Sequence, residues 1–150
     1  MKKSGLLLVF ILLLSVTVIS SYAQKKESRD VRNFSSVALA ISGELYLTQG
    51  NSFDVTLEGK EEDLEHVTTE VENNTLKIKL KPRTYQIRGS VIIRVTMPEV
   101  EGIAVAGSGK VIAEGEISSD ELDIAVSGSG KIKMKQLTVD EFEIAISGSG

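Results

Sequence analysis

The sequence predicts an all-β fold whose second half is a coil of stacked parallel strands, and three observations carry that expectation. The first is a repeat: Ile103-Ala-Val-Ala-Gly-Ser-Gly-Lys110 returns as Ile124-Ala-Val-Ser-Gly-Ser-Gly-Lys131 and again as Ile144-Ala-Ile-Ser-Gly-Ser-Gly150, at spacings of 21 and then 20 residues. The second is alternation. Leu122, Ile124 and Val126 alternate with Asp123, Ala125 and Ser127, and Phe142, Ile144 and Ile146 alternate with Glu143, Ala145 and Ser147, the period of two that turns one side of a strand inward. The third is the set of turn glycines, Gly107 and Gly109, Gly128 and Gly130, Gly148 and Gly150, which allow a corner with positive φ at no Cβ penalty. A unit of 20 residues leaves no room for a crossover helix, so successive units stack as parallel strands about 4.8 Å apart. Ile103, Ile124 and Ile144 then form one internal ladder, and Val105, Val126 and Ile146 the next.

In chain order, the first element is a leader. Met1 to Ala23 reads Lys2-Lys3, an apolar stretch of 14 residues from Leu6 to Ile19, and small residues at Ser21 and Ala23, the three parts of a secretory signal peptide cleaved after Ala23. A membrane-spanning helix needs about 20 apolar residues, so the stretch is too short for a stable span. Residues 24–150 follow as one domain without a linker. Val37-Ala-Leu-Ala-Ile-Ser-Gly43 echoes the later repeats and opens the domain with the same strand and turn. Leu45-Tyr-Leu47 and Phe53-Asp-Val-Thr-Leu57 flank Gln49-Gly-Asn-Ser52, which reads as a hairpin turn. Lys60 to Val67 reads as a short helix with Leu64 and Val67 inward. Asn73-Asn74 turns the chain between Val71 and Leu76, Thr75-Leu-Lys-Ile-Lys-Leu80 and Val91-Ile-Ile-Arg-Val-Thr96 are further strands, and Pro82 and Pro98 sit at strand ends, where a missing N–H does least harm. In the repeats, Lys131-Ile-Lys-Met-Lys135 alternates with Ile132 and Met134 inward.

This order of elements resembles the head GIN domain family, described as auto-transporter adhesins of Gram-negative bacteria. The resemblance rests on the leader, Phe34 through Gly43, Phe53-Asp-Val-Thr-Leu-Glu-Gly59, Thr75-Leu-Lys-Ile-Lys-Leu80, Val95-Thr-Met-Pro98 and the repeated Gly-Ser-Gly-Lys. It implies an exported single-stranded right-handed parallel β-helix with an irregular β-rich N-terminal part, and it implies no catalytic residues. Family members run on for several further turns, so the coil is expected to be incomplete where the sequence reaches Gly150.

Composition narrows the chemistry. The 150 residues hold no Cys, no Trp and one His, which removes disulfides, thiolate sites, a cysteine nucleophile and a multi-histidine metal centre within one chain. Without Lys2 and Lys3 the 17 Lys+Arg become 15 against 21 Asp+Glu, a net charge of −6, and Phe10 and Tyr22 leave with the leader. Nucleic acid is therefore not an expected partner. Gly-Ser-Gly-Lys is not a phosphate loop, because Ala104 and Ala125 stand where its first glycine is needed and Val111 and Ile132 where Ser or Thr must follow the lysine. No cofactor or metal is expected. Stacking in register would bring Asp120 near Asp140, Glu121 near Glu141 and Asp123 near Glu143. Such a ladder reads first as a solvated face, and as a second possibility as the acid and base of a polysaccharide-active enzyme. Lys110 and Lys131, with Lys133 and Lys135, form a similar basic edge, and His66 is expected on an exposed helix face. Ala104, Ala106, Ala125 and Ala145 make a strip of small side chains that lets another surface approach. The expected function is an exported cell-envelope or surface adhesin-like or scaffold module without catalysis, whose partner is an unidentified surface ligand or a second copy.

Overall fold

The computed structural model of the chain describes residues 24–82 and 84–150. The leader expected over residues 1–23 lies outside the described residues. Strand β1 (Lys25–Ser28) is followed by β2 (Ser36–Leu39), β3 (Glu44–Gln49), β4 (Asp54–Gly59), the short helix α1 (Glu61–His66), β5 (Val67–Glu72), β6 (Thr75–Leu80) and β7 (Ile92–Met97). The repeats supply β8 (Gly102–Gly107), β9 (Lys110–Glu114), β10 (Glu116–Gly128), β11 (Lys131–Lys133) and β12 (Gln136–Gly148). They assemble into two six-stranded sheets, ordered β1-β4-β7-β3-β9-β11 (sheet A) and β12-β10-β8-β2-β6-β5 (sheet B).

The repeats stack in parallel and in register. Ile124 pairs with Ile103 on one side and Ile144 on the other, and Val126 with Val105 and Ile146, so both ladders form. The echo at the start of the domain belongs to the same stack: β2 lies parallel to β8 with Val37 opposite Ile103 and Leu39 opposite Val105. Leu45, Leu47, Leu57, Ile78, Ile93, Met97, Ile103 and Leu122, drawn from both sheets, are at most 1% exposed and form one hydrophobic cluster. Burying each such side chain contributes about 1.5–3 kcal/mol before the entropy of ordering is subtracted.

The N-terminal half departs from a uniform parallel coil. The pairs β1–β4, β4–β7 and β5–β6 are antiparallel, so both sheets are mixed. At β5–β6 the cause is local: Asn73 and Asn74 take φ of 49° and 60°, the left-handed pair that closes a two-residue hairpin, and so tight a connection can only reverse the strand. The hairpin expected at Gln49-Gly-Asn-Ser52 does not form. Strand β7 lies between β3 and β4, parallel to the first and antiparallel to the second. Ile93, Val95 and Met97 of β7 are buried there, and the Gly50 N–H donates to the Met97 carbonyl at 3.0 Å, tying the connection to β7 instead of closing it on β4. Helix α1 lies where the sequence puts it, with Leu64 and the following Val67 buried; Glu61, Glu62 and Asp63 in its first turn suit the positive end of the helix dipole.

The two glycines of each triplet do different work. Gly107, Gly128 and Gly148 take φ of +87°, +92° and +111°, which turns the corner out of sheet B. Gly109, Gly130 and Gly150 are needed for close approach: a Cβ on Gly109 would sit 2.6 Å from the Ile41 carbonyl oxygen, and one on Gly130 would collide with the Val105 side chain. The Ser42 and Ser108 hydroxyls meet at 3.0 Å beside this corner.

Candidate functional site

The alternation that buries Val37, Ile103, Ile124 and Val126 leaves the other side of sheet B to small residues. Because β2, β8, β10 and β12 are neighbours in register, Ala38, Ala104, Ala125 and Ala145 align across four strands. Ala106, Ser127 and Ser147 form the next row toward the corner. Together with Ala40 these side chains line a shallow groove of about 340 Å³. Ala38 and Ala104 are half-buried, while Ala40, Ala106, Ala125 and Ala145 are exposed.

The rim of this floor is polar. Asp123 and Glu143 flank it on one side in paired register, and Ser127 and Ser147 on the other. At the β6 end Lys77, opposite Ala38, is paired with the Glu72 carboxylate. The result is an apolar strip about four strands wide, spanning about 15 Å at a strand spacing near 4.8 Å, edged by carboxylates and hydroxyls. Methyl groups on a flat sheet let a partner come close and shed water, but they carry no acid, base or nucleophile.

The carboxylates that the sequence offers for chemistry lie elsewhere. Asp120 lines an acidic hollow of about 440 Å³ with Gln49, Glu99, Glu101, Ser118, Ser119 and Glu121. Glu121 pairs with Glu141 and Asp123 with Glu143, as stacking in register requires, but the pairing of β10 with β12 is interrupted at Asp120 and Asp140 themselves, and both are exposed. Among the described residues, no group of three or more His, Asp or Glu side chains is placed to hold a metal ion.

Gln49, read in the sequence only as the start of a turn, ties this end of the coil together. Its amide nitrogen donates to the Pro98 and Ser118 carbonyls at 3.0 and 2.8 Å, and its carbonyl accepts the Ser118 N–H at 2.8 Å, so one side chain stands in for a strand edge.

Two further clusters are internally satisfied. On the outer face of sheet A, the Tyr46 hydroxyl and the Lys110 ammonium donate to Glu44 at 2.9 and 3.1 Å and hold its carboxyl below the usual carboxylate range. Arg94 lies over the Tyr46 ring, 4.9 Å from its centroid. Under α1, Asp63 has no exposed surface and accepts hydrogen bonds from the Tyr85 hydroxyl (2.9 Å), the Arg88 N–H (3.0 Å) and the Gly89 N–H (2.9 Å). Burial pushes this carboxyl up, but those three donors and the Lys60 charge outweigh it and hold the group below its ordinary value. His66, expected on an exposed face, is half-buried and stacks on Tyr85 with ring centroids 3.8 Å apart. Its Nδ1 lies 2.8 Å from the Glu62 carbonyl.

The family described as "Putative auto-transporter adhesin, head GIN domain" matches residues 33–150. No curated protein matches the chain. Among solved structures, one described as a "putative adhesin" from Bacteroides fragilis superposes with a TM-score of 0.78 at 23% identity, over 84% of this chain and 60% of that one. A "putative lipid binding protein" from Parabacteroides distasonis gives 0.73 at 17% identity, over 82% and 62% of the two chains. A "putative adhesin" from the same organism gives 0.75 at 15% identity, over 84% and 54%. These likenesses extend to the fold, and the chain spans between 54% and 62% of the length of the three structures.

Proposed function

The chain belongs to the head GIN domain family, and from that membership we propose that it is an exported, adhesin-like module of the cell envelope or surface that binds without catalysing a reaction. The leader through Ala23 is removed, residues 24–150 act as one domain, and the repeats form a right-handed single-stranded coil. One observation carries the reading: the aligned alanines of β2, β8, β10 and β12, a methyl floor with a polar rim on the open side of sheet B. Flat apolar strips edged by polar groups are what protein surfaces offer to partners, and an enzyme instead needs an acid, base or nucleophile held in a pocket. Asp120 and Asp140, the best carboxylates for such work, are exposed where the pairing of the two long strands is interrupted. The ligand is a surface polymer or protein with a flat apolar side.

The test passes the exported chain over immobilised polysaccharides and extracellular-matrix proteins and assays reducing ends in the same wells. Retention without turnover is expected. Turnover that disappears in Asp120→Asn or Asp140→Asn would replace the reading with a polysaccharide-cleaving enzyme, and no retention on any surface would contradict it. Intact mass of the protein from a membrane-separated bacterial fraction should begin at Gln24; Met1 retained in protein that resists carbonate extraction would mean an anchor instead.

A further inference from the structure

We propose that the hollow beside the connection from β7 to β8 holds the guanidinium group of an arginine side chain presented by a partner protein. The hollow measures about 330 Å³ and is lined by Phe34 and Phe53, Glu99 and Glu101, and Asn33 and Asn74. The two rings lie 5.0 Å apart between centroids at an angle of 54°, with Phe34 buried and Phe53 half-buried. Val100, between the two glutamates, has no exposed surface; it anchors the connection, and both of its neighbours stay exposed. Backbone bonds fix this frame. The Ser35 and Ser36 N–H groups donate to the Asn74 carbonyl at 2.9 and 3.1 Å, and the Glu101 N–H donates to the Ser35 carbonyl at 2.7 Å. A site held in this way loses little freedom when it binds. All of its residues precede the repeats, so the hollow does not depend on how far the coil continues.

Charge and ring chemistry select the ligand. Other carboxylates of the N-terminal half are already paired, Glu27 with Arg29, Glu44 with Lys110, Glu62 with Arg88, Glu70 with Lys79 and Glu72 with Lys77. Among the described residues, Glu99 and Glu101 make no ion pair. Two unpaired carboxylates attract a cation, and the aromatic pair beside them favours an organic one, whose charge interacts with the ring quadrupole. A hard metal ion needs a shell of oxygen ligands, and among the described residues no group of three or more His, Asp or Glu side chains is placed to supply it. A guanidinium suits the hollow better than an ammonium. It is flat, it stacks on an aromatic ring, and its fork meets a carboxylate through two N–H bonds. Glu99 and Glu101 also line the acidic hollow of about 440 Å³ that holds Asp120 and Glu121. Because the two hollows share these glutamates, a partner segment with a second basic residue reaches from one into the other. The site is separate from the alanine floor and does not rest on it.

The test titrates the exported chain with a blocked Arg-Gly-Arg tripeptide, with the same tripeptide carrying lysines, and with calcium chloride, and follows the backbone amide signals by NMR. The Ser35 and Glu101 amides should shift and saturate with the arginine peptide, while the lysine peptide binds about threefold more weakly and calcium chloride gives no saturation. Combining Glu99→Gln with Glu101→Gln should weaken arginine binding at least about tenfold. Both side chains are exposed, so this variant keeps its fold. Phe53→Leu retains the carboxylates and should bring arginine binding down to the level of the lysine peptide, and Ala125→Lys should leave it unchanged. No saturable shift at these amides, equal affinity for the two peptides, saturation by calcium, or undiminished binding by the double glutamine variant would overturn the proposal.

Discussion

Replacing Asp63 with alanine should be among the most damaging single changes outside the hydrophobic cluster. The carboxylate holds three donors at 2.9–3.0 Å, the Tyr85 hydroxyl and the Arg88 and Gly89 N–H groups, and so fixes the segment from residue 84 to residue 90 against α1. A hydrogen bond to a charged group contributes about 1.5–3 kcal/mol, so three give a gross roughly 4.5–9 kcal/mol. Desolvating the carboxylate offsets part of this, and relaxation of a loop near the surface offsets more, leaving a net loss of about 2–4 kcal/mol. For a domain of this size the melting temperature should fall by about 10 °C. The pH dependence follows from the lowered carboxyl. Its stabilisation is complete above the unfolded-state value of about 3.9 and is lost as pH falls through the still lower folded-state value. Melts of both proteins followed by circular dichroism should thus show a constant gap from about pH 7 to pH 5 that narrows below about pH 4. A gap under about 1 kcal/mol at neutral pH, or one that widens on acidification, would refute the reasoning.

Val126→Asp would place a charge between Val105 and Ile146 and should cost about 3–4 kcal/mol, while Ser127→Asp on the opposite side should stay within about 0.5 kcal/mol, both read from urea midpoints. Equal losses would mean that the inward and outward rows are misassigned. Gly130→Ala should cost about 1–3 kcal/mol because its Cβ meets the Val105 side chain, and adding Val105→Ala should recover part of the loss; a neutral Gly130→Ala would show that the corner has slack. Tyr85→Phe removes one of the three Asp63 bonds and should lower stability by about 1–2 kcal/mol, less than Asp63→Ala in the same melts. A loss equal to that of Asp63→Ala would place the Tyr85 hydroxyl, not the backbone donors, at the centre of the lock.

The repeat half was legible in the sequence because two periodicities agree there. Alternation fixes which side of each strand faces inward, and the spacings of 21 and 20 residues fix which residues stack, so Ile103, Ile124 and Ile144 could be aligned without coordinates. The alanine row followed from the same alternation, and the echo at Val37-Ala-Leu39 already contained its fourth member, Ala38. The N-terminal topology was not legible. Nothing in residues 44–59 shows that β7, more than 30 residues further on, inserts between β3 and β4; a local turn signal reports that the chain bends, and not which strand it pairs with afterwards. Asp63 was hidden for a related reason. In the run Glu61-Glu62-Asp63 it looks like one more solvated acid, and the donors that bury it are backbone amides at Arg88 and Gly89, which leave no mark in the sequence. Gln49 belongs with it, since its partners are the carbonyls of Pro98 and Ser118 and the N–H of Ser118.

The most direct test of the binding face compares one lysine on each outer surface. Ala125 stands at the middle of the methyl floor of sheet B, and Ile112 of β9 faces outward on sheet A. Both variants should fold, with melting temperatures close to that of the parent. Retention on whichever immobilised surface holds the parent chain should drop at least about tenfold, or about 1.4 kcal/mol, for Ala125→Lys and stay unchanged for Ile112→Lys. Undiminished retention of a folded Ala125→Lys protein would contradict the assignment of binding to the alanine floor.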